Sequence, residues 1–211
     1  MPLCLGASAV AAQSHDADAI LDRAVAAFQK VATLRADFTQ TVTDAMIGTN
    51  ESSRGEYVAQ RPNKFAMRWR HPAGDLILAD GQTLWIYLPS TTPNQVIRQN
   101  FAHNGQSLDV IGEFLDRPRE HFTIVYVKSE TISRRPADVL AFTPKAGNTA
   151  YRRVLVWIDR RDNLPRQVEI TEAAGGIRRV TLDRLQVNRA VSANTFVFTP
   201  PAGARVVDAS Q

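Results

Sequence analysis

From Leu34 onward the chain keeps returning to segments of strand length whose apolar residues fall on every second position, and only one short helical stretch interrupts them. In residues 34–42, Leu34, Ala36 and Phe38 alternate with Arg35, Asp37 and Thr39. In residues 64–70, Phe65, Met67 and Trp69 point one way and Lys64, Arg68 and Arg70 the other. Residues 83–88 are apolar on both faces, Trp85 and Tyr87 alternating with Leu84, Ile86 and Leu88, so that strand is covered on both sides. Further segments lie at 54–60, 76–79, 95–99, 122–128, 139–143, 153–158, 165–171, 177–188 and 196–199. Asp80-Gly81, Asp162-Asn163 and Gly175-Gly176 are hairpin signals between neighbours. Strands do not alternate with long helices, which excludes a parallel α/β core and leaves one large antiparallel sheet of about ten or eleven strands. Such a sheet cannot stay flat with an apolar face in water; it curls toward a barrel or pairs with a second sheet.

Two helical stretches are available to cover it. Asp16 or Asp18 is placed to cap a helix running to about Ala32, with Ile20, Leu21, Ala24, Phe28 and Val31 on one face. Residues 108–116 carry Leu108, Ile111 and Leu115 at helical spacing, Val110 and Phe114 widen the apolar face, and Pro118 ends the stretch. These helices are too short to sandwich the whole sheet but can lid a half-barrel, whose interior is then a ligand site. Residues 13–211 read as one domain. Residues 1–12, with the run LCLGASAVAA at 3–12, read as the remnant of an export signal.

Composition removes several kinds of chemistry. The formal charge of +4 is small and the arginines are scattered in pairs, so no nucleic-acid partner is expected. The single cysteine, Cys4, excludes an internal disulfide and any multi-cysteine metal site. The four histidines, His15, His71, His103 and His121, have no metal-ligand spacing, and no nucleophile elbow, Walker loop or dinucleotide loop occurs. No cofactor, metal or catalytic residue is therefore expected. Glu56, Asp75, Asp80 and Glu113 are the carboxylates available for acid–base work, and His71 with Asp75 and Asp80 is the cluster a lipid-processing enzyme would need, but their spacing reads as turn and surface positions. Phe38, Phe65, Met67, Trp69, Trp85, Tyr87 and Trp157 stand at strand spacing. They form either a packed core or an adaptable lining for an alkyl chain.

Five stretches carry a resemblance to a known family: LRADFTQTV at 34–42, GEYVAQRPNKF at 55–65, LADGQTLWIY at 78–87, FTPKA at 142–146 and FVFTPPAG at 196–203. In this order and separation they resemble the periplasmic outer-membrane lipoprotein carrier (LolA) family, over about residues 34–207. The resemblance implies a mainly β fold with helices (α+β), an incomplete antiparallel β-barrel of about eleven strands with a helical lid over a hydrophobic cavity. It implies a monomeric periplasmic chaperone rather than an enzyme. Such a carrier takes triacylated outer-membrane lipoproteins from an inner-membrane lipoprotein-releasing ABC transporter complex and passes them to an outer-membrane lipoprotein receptor. It places a lid latch at Arg61, a cavity lining on the seven residues above, and lid helices on Ile20, Leu21 and Phe28 and on Leu108, Ile111 and Leu115. The polar run FAHNGQS at 101–107, with Asp109 and Glu113, narrows the second lid's apolar face. A carrier of another amphiphile such as a glycolipid, or a protein-binding module with no lipid cargo, would show the same pattern.

Overall fold

The computed structural model describes the chain from Ala7 to Ala209 apart from residues 45, 47, 101–111 and 146–149, with side chains from Ala17 onward. A helix, α1 (Ala7–Gln29), precedes five strands: β1 (Thr33–Thr43), β2 (Asn50–Gln60), β3 (Lys64–His71), β4 (Ala73–Asp80) and β5 (Thr83–Tyr87). After β6 (Gln95–Asn100) come two short helices, α2 (Gly112–Leu115) and α3 (Pro118–His121). The strands β7 (Phe122–Ile132), β8 (Arg135–Pro144), β9 (Tyr151–Asp159), β10 (Pro165–Glu172) and β11 (Ile177–Val187) follow, then a 3-10 turn at Ala193–Phe196 and β12 (Arg205–Asp208). All are hydrogen-bonded in one open sheet in the order β12-β6-β5-β4-β3-β2-β1-β11-β10-β9-β8-β7. The expected large antiparallel sheet with few helices is present, with three differences. It has twelve strands rather than about eleven, and β12 joins β6 in parallel. Residues 196–199, expected as a strand, begin in the 3-10 turn and form no ladder. Residues 50–53, outside the segment expected at 54–60, open β2, where Thr43 Oγ1 donates to Asn50 Oδ1 at 2.6 Å. The expected helix start at Asp16 or Asp18 is also moved, because α1 already runs through both positions from Ala7.

By chain contacts the protein divides into two compact units. The first comprises residues 1–30, 41–50 and 114–181. Here α1 packs against β7, burying Ala17, Ile20, Leu21, Ala24 and Phe28, which recur at helical spacing. Arg119 of α3 reaches two carboxylates one turn apart on α1, Asp22 at 2.7 Å and Asp18 at 3.0 Å. Phe114 and Leu115 of α2 are buried, and Phe114 lies edge-on to Phe142 and Tyr151 with Phe122 alongside. Leu108 and Ile111 lie outside the described residues.

The hairpin from β9 to β10 holds the most buried charge of this unit. Asn163 takes the left-handed conformation the turn requires (φ 58°). Asp159, with no exposed surface, accepts from the Arg161 backbone N–H at 2.8 Å and pairs with Arg135 and with the buried Arg166. Burial works against the Asp159 charge, but the Arg161 N–H and the two guanidiniums outweigh it, so its carboxyl lies below the usual range.

The second unit comprises residues 31–40, 51–113 and 182–211. Its strands β2 to β6 form an antiparallel meander whose register shifts at Arg54/Gly55 and at Arg68/Arg70. Arg184 stands within β11 at φ 51°, a left-handed position that interrupts the alternation after buried Leu182 and turns the side chain onto Asp37.

Replacing Asp159 by Asn leaves Arg166 buried against a weaker partner, and we expect it to cost about 3–5 kcal/mol in urea unfolding. Because the folded pKa is depressed, this contribution is complete above the ordinary carboxylate range and disappears as pH falls through the folded value. The stability difference between wild type and Asp159→Asn is thus constant from pH 7 to about pH 5 and shrinks below about pH 4.

Candidate functional site

The meander of the second unit has two faces, and the register assigns every side chain to one of them. On the first face two cross-strand rows run through consecutive strands. One is Ala59, Phe65, Ala79, Leu84; the other is Tyr57, Met67, Ile77, Ile86, Ile97. Gly55 opposes Trp69 across a bulge at the end of the same face. Phe38 of β1 joins it, its ring 5.2 Å from that of Trp69 and nearly perpendicular. The face is hydrocarbon and aromatic, and no Asp, Glu, Lys, Arg or His stands in either row. Phe38, Tyr57, Phe65 and Met67 are buried, while Trp69, Ile77, Ile86 and Ile97 are partly so. The one ring nitrogen here, Trp69 Nε1, donates to Ser53 Oγ at 3.1 Å.

The other face is different in kind. Val58, Ala66, Leu76 and Leu78 form a closed cluster with Phe196, and Trp85, Tyr87, Val191 and Phe198 pack against it. The Phe198 ring lies 5.8 Å from Trp85 and 5.9 Å from Tyr87. The segment after β11 thus plugs this face with its own aromatic residues, and Arg68 Nη2 anchors it by donating to the Thr195 carbonyl at 3.0 Å. Farther along the same face, Arg35 and Arg70 pair with Glu56, and Arg70 and Arg184 with Asp37. Burial alone would raise the Asp37 pKa, yet the hydrogen bonds and charges of Arg70 and Arg184 hold it below the usual range.

The seven residues read as a lining therefore divide. Phe38, Phe65, Met67 and Trp69 share the apolar face. Trp85 and Tyr87, in the odd positions of β5, point to the opposite face and meet Phe198. Trp157 belongs to the first unit, where it clusters with Ala137 and Val139 and its Nε1 donates to Glu130 at 2.9 Å. Sequence reasoning missed Tyr57, Ile77, Ile86 and Ile97, whose place depends on cross-strand register rather than on their own strand's pattern. Arg61 is exposed in the β2–β3 turn, its backbone N–H donating to the Ala32 carbonyl at 2.9 Å.

The carboxylates considered for catalysis have local tasks. Asp75 accepts from the Ser90 N–H at 3.1 Å and hydroxyl at 2.6 Å. Asp80 accepts from the N–H groups of Gln82 and Thr83 in the β4–β5 turn. Glu56 lies in the ion pairs of the charged face. Among the described residues no group of His, Cys, Asp and Glu could hold a metal. The apolar face gathers aromatic, aliphatic and thioether side chains, the kinds that adapt to a flexible hydrocarbon guest.

The sequence profile of the family described as "Outer membrane lipoprotein carrier protein LolA" matches residues 29–199. A protein named outer-membrane lipoprotein carrier protein from Methylibium petroleiphilum is 31% identical over 207 residues, 96% of each chain. One of the same name from Methylobacillus flagellatus is 28% identical over 180 residues, 85% of this chain and 84% of its own. Among solved structures, an uncharacterized conserved protein from Thermus thermophilus superposes with a TM-score of 0.57 at 12% identity, covering 90% of this chain and 98% of its own. That likeness concerns the fold alone.

Gly55 is the tightest point of the apolar face. A Cβ there would stand 2.1 Å from the Arg68 carbonyl oxygen and 2.7 Å from Phe38 Cε1. Gly55→Ala is therefore expected to lower stability by at least about 2 kcal/mol in chemical denaturation. Adding Phe38→Ala should not restore it, because the backbone oxygen of Arg68 remains in the way.

Proposed function

The chain belongs to the outer membrane lipoprotein carrier protein (LolA) family, and from that premise we propose that it carries the acyl chains of lipoproteins through the periplasm on the apolar face of β2–β6. Its relatives bear the name of such carriers over most of their length, and no described helix is long and apolar enough to cross a membrane. The observation that carries this reading is the pair of cross-strand rows on that face, which contain no carboxylate, ammonium, guanidinium or imidazole group. An acyl chain loses about 0.8 kcal/mol of unfavourable hydration for each methylene it buries, so hydrocarbon contact alone is sufficient to hold it. A surface of Met, Ile and aromatic side chains follows a bent chain without fixing one pose.

In this reading the protein binds and does not catalyse. Lipoproteins reach it from an ATP-driven releasing complex in the inner membrane and leave it at an outer-membrane receptor, the chain working as a monomer. Residues 1–12 are the remnant of the export signal and residues 13–211 the carrier domain. Opening and closing are assigned to Arg61 and to the amphipathic stripes Ile20, Leu21, Phe28 and Leu115. Release requires that opening cost little, so closure resting on a few polar contacts suits the task better than a sealed core.

A tripalmitoylated cysteine peptide is expected to displace an apolar fluorophore bound to the purified protein, and the same peptide without acyl chains is not. Equal displacement by the deacylated peptide would contradict acyl carriage, and displacement by a glycolipid but not by the lipopeptide would transfer the role to another amphiphile. Arg61→Ala, with the fold intact by circular dichroism, should raise fluorophore binding severalfold; unchanged binding removes Arg61 as the latch.

A further inference from the structure

β7 is the last strand in the sheet order, so among the described residues only one of its sides carries a ladder, the one shared with β8. Its outer row of N–H and C=O groups lies beside two exposed valines, Val125 at 49% and Val127 at 39% exposure. Val127 sits at a bulge, where the register with β8 shifts between Tyr126 and Lys128. On the strand's other face Tyr126 helps line a cleft of about 230 Å³ with Ala19, Ile20, Arg23, Asp138 and Arg160. This adjoins a second cleft of about 310 Å³ that shares Ile20, Arg23, Asp138 and Arg160 and extends to Ile158, Asp159 and Asn163.

The charged side chains of this groove and its surroundings are paired, with one exception. Arg160 is held by Asp138, its Nε at 3.0 Å from Oδ1, and by Ser129. Asp159 pairs with Arg135 and Arg166, and the α1 carboxylates Asp18 and Asp22 share Arg119. Arg23 lines both clefts, and its guanidinium takes part in no hydrogen bond or ion pair among the described residues. The groove therefore holds one guanidinium without an ionic partner near Tyr126 of β7, the strand whose outer side carries no ladder among the described residues.

We propose that this rim is a docking site for an extended acidic segment of a partner protein, which adds to β7 as a further strand and sets a carboxylate against Arg23. An open ladder row calls for a partner with alternating N–H and C=O groups, which a polypeptide supplies and a lipid headgroup does not. The free guanidinium selects a carboxylate on one face of the added strand. Val125 and Val127 select an apolar residue on the other. The site lies outside the apolar rows of the second unit, so it concerns a protein partner and is independent of which amphiphile is carried.

The test uses the full chain, isotope-labelled, and two capped synthetic peptides that alternate valine with glutamate or with lysine. The glutamate peptide is expected to slow amide exchange across residues 122–132 by about tenfold while the lysine peptide leaves it unchanged. Arg23→Glu, at an exposed helical position, should weaken the glutamate peptide about fivefold or more without lowering the melting temperature, and Arg23→Lys should retain most of the binding. Protection that is absent, that lies outside residues 122–132, or that is equal for both peptides overturns the proposal. So does concentration-dependent self-association that protects the same amides without peptide, which would assign the edge to a second copy. Loss of lipopeptide binding with β7 protection intact would count against the carrier reading and leave this site standing.

Discussion

Hydrocarbon contact along two cross-strand rows is the interaction on which the proposed carriage rests. The rows Ala59-Phe65-Ala79-Leu84 and Tyr57-Met67-Ile77-Ile86-Ile97 place one apolar residue from each strand in line, so a guest lying across the strands meets side chains continuously. Removing about fifteen methylenes from water is worth on the order of 12 kcal/mol. Cargo held that firmly leaves on a useful timescale only when it moves to another surface of the same kind, where the hydration term nearly cancels. Contact without directional bonds allows such exchange; a site built on buried ion pairs would have to break them at each transfer.

The remaining structure of the second unit keeps its plug and its charges on the other face. Its reverse side is closed by Phe196 and Phe198 on Trp85 and Tyr87, with Arg68 fastening the segment to the sheet, and by the ion pairs around Asp37 and Glu56. In the first unit buried charge is concentrated in the β9–β10 hairpin and apolar packing in the α1 seam and the Phe114 cluster. Arg119 adds a polar clip between α3 and α1. Each unit thus has its own means of holding its elements.

Much of this is legible from alternation alone. Phe65, Met67 and Trp69 share a face because a strand repeats every two residues, and Asp80-Gly81 turns the chain where expected. The alternation in residues 83–88 predicts cover on both sides, and it already contains the fact that Trp85 and Tyr87 do not look where Leu84 and Ile86 look. Grouping Trp85 and Tyr87 with Met67 requires the register between strands, which no single strand carries. β12 escapes a sequence reading because four residues in parallel with β6 leave no hairpin signal and no local period. Phe196 and Phe198 alternate as a strand would, yet they pack as a cover, since alternation reports which side chains are buried and not whether the backbone has found a ladder. Arg119 escapes because its partners lie about a hundred residues away on α1.

The most direct measurement is site-specific photo-crosslinking to a triacylated lipoprotein, with a photoreactive phenylalanine placed at Met67 in one protein and at Tyr87 in another. The two positions lie on strands separated by one strand in the sheet, and on opposite faces. Carriage on the apolar rows predicts a crosslinked lipoprotein from position 67 and none from position 87. Equal crosslinking from both, or crosslinking from position 87 alone, would contradict it.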